Sequence, residues 1–157
     1  MSNPSSQSKM PLALDDFLCF ALYSANHAMN RAYKPLLDKL GLTYPQYIVM
    51  VALWEQDQQT VKSLGSKLFL ASNTLTPLLK RLEAMGHLIR TRDSVDERQV
   101  IISLSTQGKD LEQEALNIPG CIISGTGFTP ENLEFLLEQM SRLRLNLEQA
   151  LESGRIS

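Results

Sequence analysis

Residues 60 to 104 read TVKSLGSKLFLASNTLTPLLKRLEAMGHLIRTRDSVDERQVIISL, and this stretch decides the fold. Apolar residues recur at helical spacing from Val61 to Phe69 and again from Leu75 to Leu82. Between the two patterns, Ser72 or Asn73 is suited to cap the second helix. The stretch therefore predicts two helices joined by a very short turn.

Two strand-like runs follow the second helix, from Leu88 to Arg92 and from Gln99 to Leu104, with the charged turn 93–98 between them. Gly86 separates this hairpin from the helix before it. Two helices followed by a hairpin are the order of a winged helix-turn-helix. We therefore predict a mainly α protein with a small β-hairpin wing, in which a winged helix-turn-helix over about residues 45–104 binds double-stranded DNA.

The charge of the chain is unevenly distributed. Its formal net charge of −2 would on average repel nucleic acid. Residues 60 to 100, however, carry seven Lys or Arg against four Asp or Glu, a net of +3 that leaves −5 for the rest of the chain. A basic module within an acidic protein is typical of a local phosphate-binding surface.

The second helix of the pair, predicted from about Ser72 to Met85, is the expected recognition helix, because its exposed face carries small polar groups first and cations last. Pro77 is expected within the first turn or so, where a missing amide hydrogen costs little. Arg98 at the wing tip suits insertion into a narrow minor groove, with Asp96 expected to orient it. The residues expected to contact DNA are Ser72, Asn73, Thr74, Thr76, Pro77, Lys80, Arg81, Arg90, Arg92, Asp96 and Arg98.

Length and composition set the domain organisation. With 157 residues and 43% hydrophobic content, the chain is predicted to form one domain over residues 12–157, after a polar tail, residues 1–11, that is expected to be disordered. No apolar run reaches the roughly eighteen residues of a membrane span, and the polar start lacks the hydrophobic core of a signal peptide. We therefore expect a soluble, cytoplasmic protein.

Long apolar helices flank the winged module. One is predicted from about Leu12 to Tyr33, with Pro35 limiting its end, and another from Thr129 to Leu151. We expect the segments 12–44 and 105–153 to form dimerisation helices, so that a homodimer reads a pseudo-palindromic operator in successive major grooves. In the alternative, these helices fold back on their own subunit.

Several longer motifs resemble a known family. They are DER (96–98) leading into VIISLS (100–105) and Gly108, and the runs LCFALY (18–23), AYKPLL (32–37), LTYPQY (42–47) and TLTPLLKR (74–81). The first motif resembles the wing of MarR-family transcriptional regulators, and the four runs are similar to the OhrR subfamily of organic hydroperoxide sensors. The resemblance implies a homodimeric repressor with interlocked terminal helices, which releases its operator when organic hydroperoxides oxidise one cysteine.

The resemblance identifies Cys19 as the sensing cysteine, although the local sequence does not by itself make this thiol reactive. The negative charges of Asp15 and Asp16, just upstream, disfavour a thiolate at Cys19. Cys19 is also expected beyond the first turn of its helix, where the helix dipole is too weak to stabilise a thiolate. Tyr33 and Tyr44 occupy the positions where the resembling proteins place phenols that donate hydrogen bonds to the sensing sulfur. On composition alone, both cysteines of the chain would be interpreted as small buried apolar residues.

Cys121 lies in the run 118–123, before the final predicted helix, where an inert packed thiol is one interpretation. Within the resembling family, one group senses with a single cysteine and caps the sulfenic acid with an external thiol. Another group has a second cysteine in roughly this region, which closes a disulfide across the dimer. We expect Cys121 to form this intersubunit disulfide with Cys19, and the one-cysteine mechanism is the alternative.

Other chemistries find little support in the sequence. Neither His27 nor His87 has another His or Cys at ligand spacing, so no metal site is expected. The absence of a P-loop, a glycine-rich dinucleotide turn and a nucleophile with its base predicts no cofactor and no enzyme. Two alternatives stay open: a thiol peroxidase that turns over at Cys19, and a MarR-type repressor released by a non-covalent aromatic ligand, to which Cys19→Ser would still respond.

Overall fold

The computed structural model of the chain describes residues 13–156, which form two compact units that divide after Ala115. The predicted tail, residues 1–11, lies outside the described residues, and the single domain over 12–157 stays a prediction. Within residues 13–156, every helix is too short or too polar to cross a membrane.

The first unit is built from helices around a small sheet. Its elements in chain order are a 3-10 turn (Leu14–Asp16), α1 (Leu18–Leu37), a second 3-10 turn (Asp38–Leu40), α2 (Tyr44–Glu55), β1 (Gln59–Thr60), α3 (Val61–Leu68), α4 (Ser72–Ala84), β2 (Leu88–Arg92), β3 (Val100–Leu104) and α5 (Thr106–Ala115). This order confirms the predicted winged helix-turn-helix in a mainly α protein.

Helix α2 lies at the centre of this unit. A capping box begins it, in which Thr43 Oγ1 accepts a hydrogen bond from Gln46 N and Gln46 Oε1 accepts one from Thr43 N. Its apolar side chains pack with those of α3, α4 and the sheet. Among residues 13–156, the largest fully buried side chains are Val49, Met50, Leu53, Leu64, Leu75, Leu79, Leu82 and Ile102.

A tight corner joins α3 to α4. Phe69 ends α3 in the left-handed region, with φ of 54°, and Leu70 N then donates to Gly65 O across 2.9 Å. A Cβ atom at Gly65 would lie 2.8 Å from Leu70 O, so a glycine is needed where the chain doubles back. This corner sets the angle between the two helices.

The start of α4 differs from the sequence prediction in two respects. Ala71 is the N-cap residue and no side chain caps the helix, so the expected cap at Ser72 or Asn73 is wrong. Pro77 is the sixth residue of α4 rather than a first-turn residue, and it deprives the Asn73 carbonyl of its usual amide partner. The helix tolerates this loss because Leu75, Leu79 and Leu82 bury its other face.

The sheet is antiparallel with strand order β1-β3-β2. The predicted hairpin is confirmed, with a register that runs from Leu88 opposite Leu104 to Arg92 opposite Val100. The sequence did not reveal β1, which has two residues and pairs Gln59 with Ile102. The short strand covers the edge of β3 and anchors the start of α3 to the wing.

Helix α1 also departs from its predicted bounds. Phe17 adopts an extended conformation and separates the 3-10 turn from α1, which therefore begins at Leu18 rather than near residue 12. At the other end the helix continues through Pro35 to Leu37, so the predicted end at Tyr33 is wrong. Pro35 lies in the last turn, where only one backbone hydrogen bond is lost.

The second unit consists of α6 (Ile118–Thr126) and α7 (Pro130–Glu152). Gly127, with φ of 68°, ends α6, and Thr129 Oγ1 caps α7 by accepting from Asn132 N. The predicted start of the last helix is therefore correct. Helix α7 has no buried residue, although its sequence is rich in leucine.

Candidate DNA-binding face and redox site

The first turn of α4 presents the predicted small polar residues to solvent. Ser72, Asn73 and Thr74 are all exposed, and Lys80 and Arg81 are exposed two turns later. No side chain caps α4, and Thr74 N already donates to Ala71 O across 3.0 Å, so the amides of Ser72 and Asn73 are the first-turn groups available to an external acceptor. Together with the positive end of the helix dipole, these groups favour a phosphate at this position.

Two polar residues beside this turn were not among the predicted site residues. An open hollow of about 340 Å³ lies between α3 and the start of α4, and Lys62 and Ser66 of α3 line it together with Ser72. Both α3 residues are exposed and lie four positions apart on one helical face. That spacing is visible in the sequence and could have identified them. The hollow extends the polar, cationic surface from α4 onto α3.

The wing tip carries an organised cation. Asp96 Oδ1 accepts a hydrogen bond from Arg98 Nε across 3.0 Å and another from Arg98 N across 3.1 Å, and Asp96 Oδ2 accepts from Gln99 Nε2 across 3.3 Å. The bonds from Arg98 hold the pKa of the Asp96 carboxyl below its ordinary value. The Arg98 side chain is 92% exposed. The Arg98 side chain therefore extends into solvent, while its hydrogen bonds to Asp96 hold it in place.

The two arginines of β2 have different surroundings. Arg92 is exposed, whereas the side chain of Arg90 is only 24% exposed and its Nη1 atom lies 3.3 Å from Glu83 Oε2 in the last turn of α4. Within residues 13–156, the buried Nε atom of Arg90 has no hydrogen-bond partner. Arg90 is thus turned towards the recognition helix rather than away from the protein.

Cys19 lies in a different place from the one the sequence predicted. Because Phe17 interrupts the chain, Cys19 is the second residue of α1 and not a residue beyond its first turn. The thiol is exposed and free. Cys19 therefore lies in the first turn of α1, at the positive end of the helix dipole.

The thiol of Cys19 borders an open apolar hollow of about 300 Å³, lined also by Leu14, Phe17, Phe20 and Tyr23. The Tyr23 ring makes an edge contact with His27, with ring centroids 4.4 Å apart. A small polar oxidant gains little from such surroundings. An organic group can bury apolar surface there.

Tyr33 and Tyr44 lie together, with ring centroids 4.9 Å apart, and Tyr47 packs behind Tyr33 at 5.9 Å. Burial, assisted by the neighbouring phenols of Tyr44 and Tyr47, raises the pKa of Tyr33 above its ordinary value. The Tyr33 phenol therefore keeps its proton at neutral pH and is a hydrogen-bond donor.

The structure does not bring Cys19 and Tyr33 together within one chain. Both residues lie on α1, fourteen positions apart, which at the rise of an α-helix corresponds to about 21 Å. Tyr44 adjoins Tyr33. If these phenols contact a Cys19 sulfur, that sulfur belongs to another copy of the chain.

Cys121 is the fourth residue of α6 and belongs to the second unit. Its thiol is free and exposed, like that of Cys19. The interpretation of both cysteines as small buried apolar residues is therefore wrong. Each thiol is accessible to a reactant from solution.

An exposed recognition helix beside a wing with an exposed arginine at its tip is typical of a winged-helix DNA-binding protein, and comparison with known sequences identifies its family. Residues 31–115 match the model of the transcriptional regulator SarA/Rot family. The chain is 44% identical over 138 residues to the organic hydroperoxide resistance transcriptional regulator of Bacillus subtilis, covering 88% of this chain and 94% of the relative. It is 49% identical over 134 residues to the transcriptional regulator TtmR of Methylorubrum extorquens, covering 85% and 69% respectively.

Solved structures give the same assignment. A DNA-bound structure of reduced AbfR, a protein of Staphylococcus epidermidis, superposes with a TM-score of 0.72 at 34% identity, covering 85% of this chain and 93% of that one. The disulfide form of AbfR has a TM-score of 0.58 at 36% identity, covering 83% and 91%. The chain belongs to the MarR family of winged-helix transcriptional regulators and is OhrR-like.

Proposed function

We propose that this transcriptional regulator is a repressor that releases its operator when an organic hydroperoxide oxidises Cys19. The observation that carries the proposal is the position of Cys19, exposed at the start of α1 and bordered by an apolar hollow. The name of the Bacillus subtilis relative supports the same class of inducer. The protein would act in the cytoplasm, where it has access to DNA.

We propose that the working unit is a homodimer. The separation of about 21 Å along α1 keeps the Cys19 thiol away from Tyr33 and Tyr44 of its own chain, so a second copy would supply these two phenols. Apolar side chains on the terminal helices are available for the contact, since Leu18 of α1 is 57% exposed and Leu137 of α7 is 60% exposed. Two winged helices in a dimer would bind a pseudo-palindromic operator.

The proposed DNA-binding surface consists of the first turn of α4, its cations and the wing. Ser72, Asn73, Thr74, Thr76 and Pro77 face the bases or the nearby phosphates. The remaining contacts come from Lys80, Arg81, Arg92, Arg98 and, beyond the sequence prediction, Lys62 and Ser66. The structure of reduced AbfR bound to DNA supports DNA binding by this fold.

The proposed sensing reaction begins at the sulfur of Cys19. The Cys19 thiolate attacks the terminal peroxide oxygen, the O–O bond breaks, and the organic part leaves as an alcohol after taking up a proton. The sulfur becomes a sulfenic acid. Hydrogen bonds from the partner's Tyr33 and Tyr44 would stabilise the thiolate before the attack.

A disulfide would complete the switch. The thiol of Cys121 from the partner subunit attacks the sulfenic sulfur of Cys19, water leaves, and an S–S bond joins the subunits. The disulfide form of AbfR supports such a product in a related chain. Joining the two segments would move the winged helices out of register with successive major grooves.

The test is a gel-shift titration with cumene hydroperoxide, on a duplex that the reduced wild-type protein selects from a randomised library. Wild type should lose DNA binding after about one equivalent of oxidant per thiol pair and regain it with dithiothreitol. Cys19→Ser should bind the duplex and ignore the oxidant. If Cys19→Ser is released as readily as wild type, a non-covalent inducer or another residue carries the response.

Cys121→Ser separates the two redox mechanisms. It should still react at Cys19 but yield no species of dimer mass on a non-reducing gel. A wild-type protein that also remains at monomer mass, with Cys121 free by mass spectrometry, would establish the one-cysteine mechanism. Continued consumption of peroxide over many turnovers with a thiol reductant, without specific DNA binding, would instead indicate a thiol peroxidase.

A further inference from the structure

Arg90 occupies the inner face of the wing. It is the third residue of β2 and pairs with Ile102, which is completely buried in β3. Alternate residues of a strand share a face, so Arg90 points to the same side as Leu88, which is 3% exposed. The aliphatic part of Arg90 therefore continues the apolar contact between the wing and α4.

The guanidinium of Arg90 ends at Glu83, with Nη1 and Oε2 3.3 Å apart. Glu83 is the penultimate residue of α4, where a carboxylate is disfavoured by the negative end of the helix dipole. A carboxylate is also unfavourable on a helix that must approach phosphate groups. Neither helix stability nor DNA attraction accounts for Glu83, whereas the ion pair with Arg90 does.

We infer that Glu83 and Arg90 are a positioning pair, which fixes the wing at a set angle to the recognition helix. The inference rests on the proposed DNA-binding face and corrects one part of it, because Arg90 then acts on DNA binding through this angle and not by contacting a phosphate. The pair joins the two parts that must enter DNA together, since α4 reads a major groove while Arg98 enters a minor groove.

The short, bent segment that connects Glu83 to Arg90 does not fix the wing by itself, so a side-chain link between them is useful. Only Met85, Gly86 and His87 connect α4 to β2, and Gly86 has a φ of 86°, which favours glycine. The third strand, β1, pairs only with Ile101 and Ile102 of β3, so from Arg92 and Val100 to its tip the wing is a two-stranded ribbon. A ribbon of this kind twists and bends readily unless a side-chain contact holds it.

The decisive variant is Glu83→Gln, because the two possible roles of Arg90 predict opposite signs. If Arg90 contacts phosphate, removing the nearby carboxylate frees it and strengthens DNA binding. If the pair positions the wing, Glu83→Gln weakens binding by about tenfold although a negative charge has been removed. The full-length reduced protein and the duplex selected by wild type are used, with thermal unfolding of each variant as a check on folding.

Salt dependence gives a second, independent measurement. Arg90→Gln should lower the affinity about as much as Glu83→Gln, with the slope of log K against log salt concentration unchanged. Arg92→Gln is the matched control, because Arg92 lies on the same strand and is exposed. If Arg92 contacts one phosphate, the slope of log K against log salt concentration should be smaller in magnitude by about 0.9 for Arg92→Gln than for wild type.

The charge-reversed double variant Glu83→Arg/Arg90→Glu tests the pair directly. It should bind within about threefold of wild type, whereas each single reversal binds much more weakly. The inference is overturned if Glu83→Gln binds at least as tightly as wild type, or if Arg90→Gln loses about one unit of salt slope. If wild type selects no duplex at all, the failure belongs to the proposed function instead.

Discussion

The winged helix and the outer helices differ in how far their apolar side chains are buried. In α2, α3, α4 and the sheet, the leucines and isoleucines facing inward are almost completely buried within the first unit. Along α7, by contrast, no residue is buried, and Phe135, Leu137 and Leu151 are each more than half exposed. The winged helix is thus stabilised by its own chain. The outer helices keep apolar surface that a second copy would cover, so sensing and assembly are expected to be inseparable.

The largest effect should come from a cavity in the winged helix. Leu79 is 1% exposed, so Leu79→Ala is expected to lower the free energy of unfolding by about 2–5 kcal/mol. Urea denaturation of the reduced protein measures this loss. It should be nearly independent of protein concentration, because the neighbours of Leu79 belong to its own unit.

Leu137→Ala is the matched variant in the outer helices. Leu137 is 60% exposed, so truncation of its side chain should weaken dimerisation. The unfolding midpoint should then depend more steeply on protein concentration. Analytical ultracentrifugation over a dilution series measures the dimer. A concentration-independent loss of stability as large as that of Leu79→Ala would show that α7 packs in its own chain and would contradict the difference between the winged helix and the outer helices.

Arg98→Ala should have the next largest effect, because it removes an exposed cation from the wing without touching the core. We expect DNA binding to weaken by about 1–3 kcal/mol, with unchanged thermal stability. Lys39→Ala is the control, since Lys39 is an exposed cation outside the winged helix. Equal affinities of Arg98→Ala and wild type for the selected duplex would remove the wing tip from recognition.

Loss of one phenol should slow sensing more modestly. Tyr33→Phe and Tyr44→Phe are each expected to bind DNA normally but to lose it about tenfold more slowly in cumene hydroperoxide, because one hydrogen bond to the Cys19 thiolate is gone. Tyr47→Phe, a buried neighbour in the same aromatic cluster, should react at the wild-type rate. Stopped-flow fluorescence anisotropy of labelled DNA follows release. Unchanged rates in both variants would refute the role of the phenols.

The smallest expected effect is a pH dependence of the free energy of unfolding, and its source also lies in the winged helix. His87 is buried at the base of the wing, and burial lowers its pKa below the ordinary value of 6.5. The folded state thus keeps His87 neutral while the unfolded chain binds a proton, so the free energy of unfolding should fall as pH decreases below about 6.5. Urea unfolding at pH 8 and pH 5.5 measures this difference. It should shrink in His87→Gln and persist in His27→Gln, and equal pH dependence in both variants would contradict the assignment.

Sequence reasoning succeeded where structure depends on neighbouring residues. The spacing of Leu75, Leu79 and Leu82 and the alternation around Ile102 each follow from local periodicity, so the two helices and the hairpin were predictable. The strand β1 was not, because two residues carry no periodicity of their own. The start of α1 was missed for a similar reason: Asp15 and Asp16 continue a helical pattern, and nothing local announces the extended conformation of Phe17.

The site was less predictable than the fold, because its geometry depends on residues far apart in sequence. The apolar hollow at Cys19 and the pairing of Tyr33 with Tyr44 require the folded backbone. Arg90 is instructive in another way. Its charge predicts a DNA contact, whereas its alternation with Leu88 predicts an inward-facing side chain.

The distance along α1 between Cys19 and Tyr33 has a consequence for mixtures of defective chains. Cys19→Ser subunits lack the thiol, and Tyr33→Phe subunits lack the donor, so neither homodimer senses peroxide at the normal rate. If the site is shared between copies, exchanging subunits at equal concentrations produces about one-half mixed dimers. Each mixed dimer pairs the intact thiol of one parent with the intact phenol of the other, and two damaged proteins together recover a fast response that neither has alone.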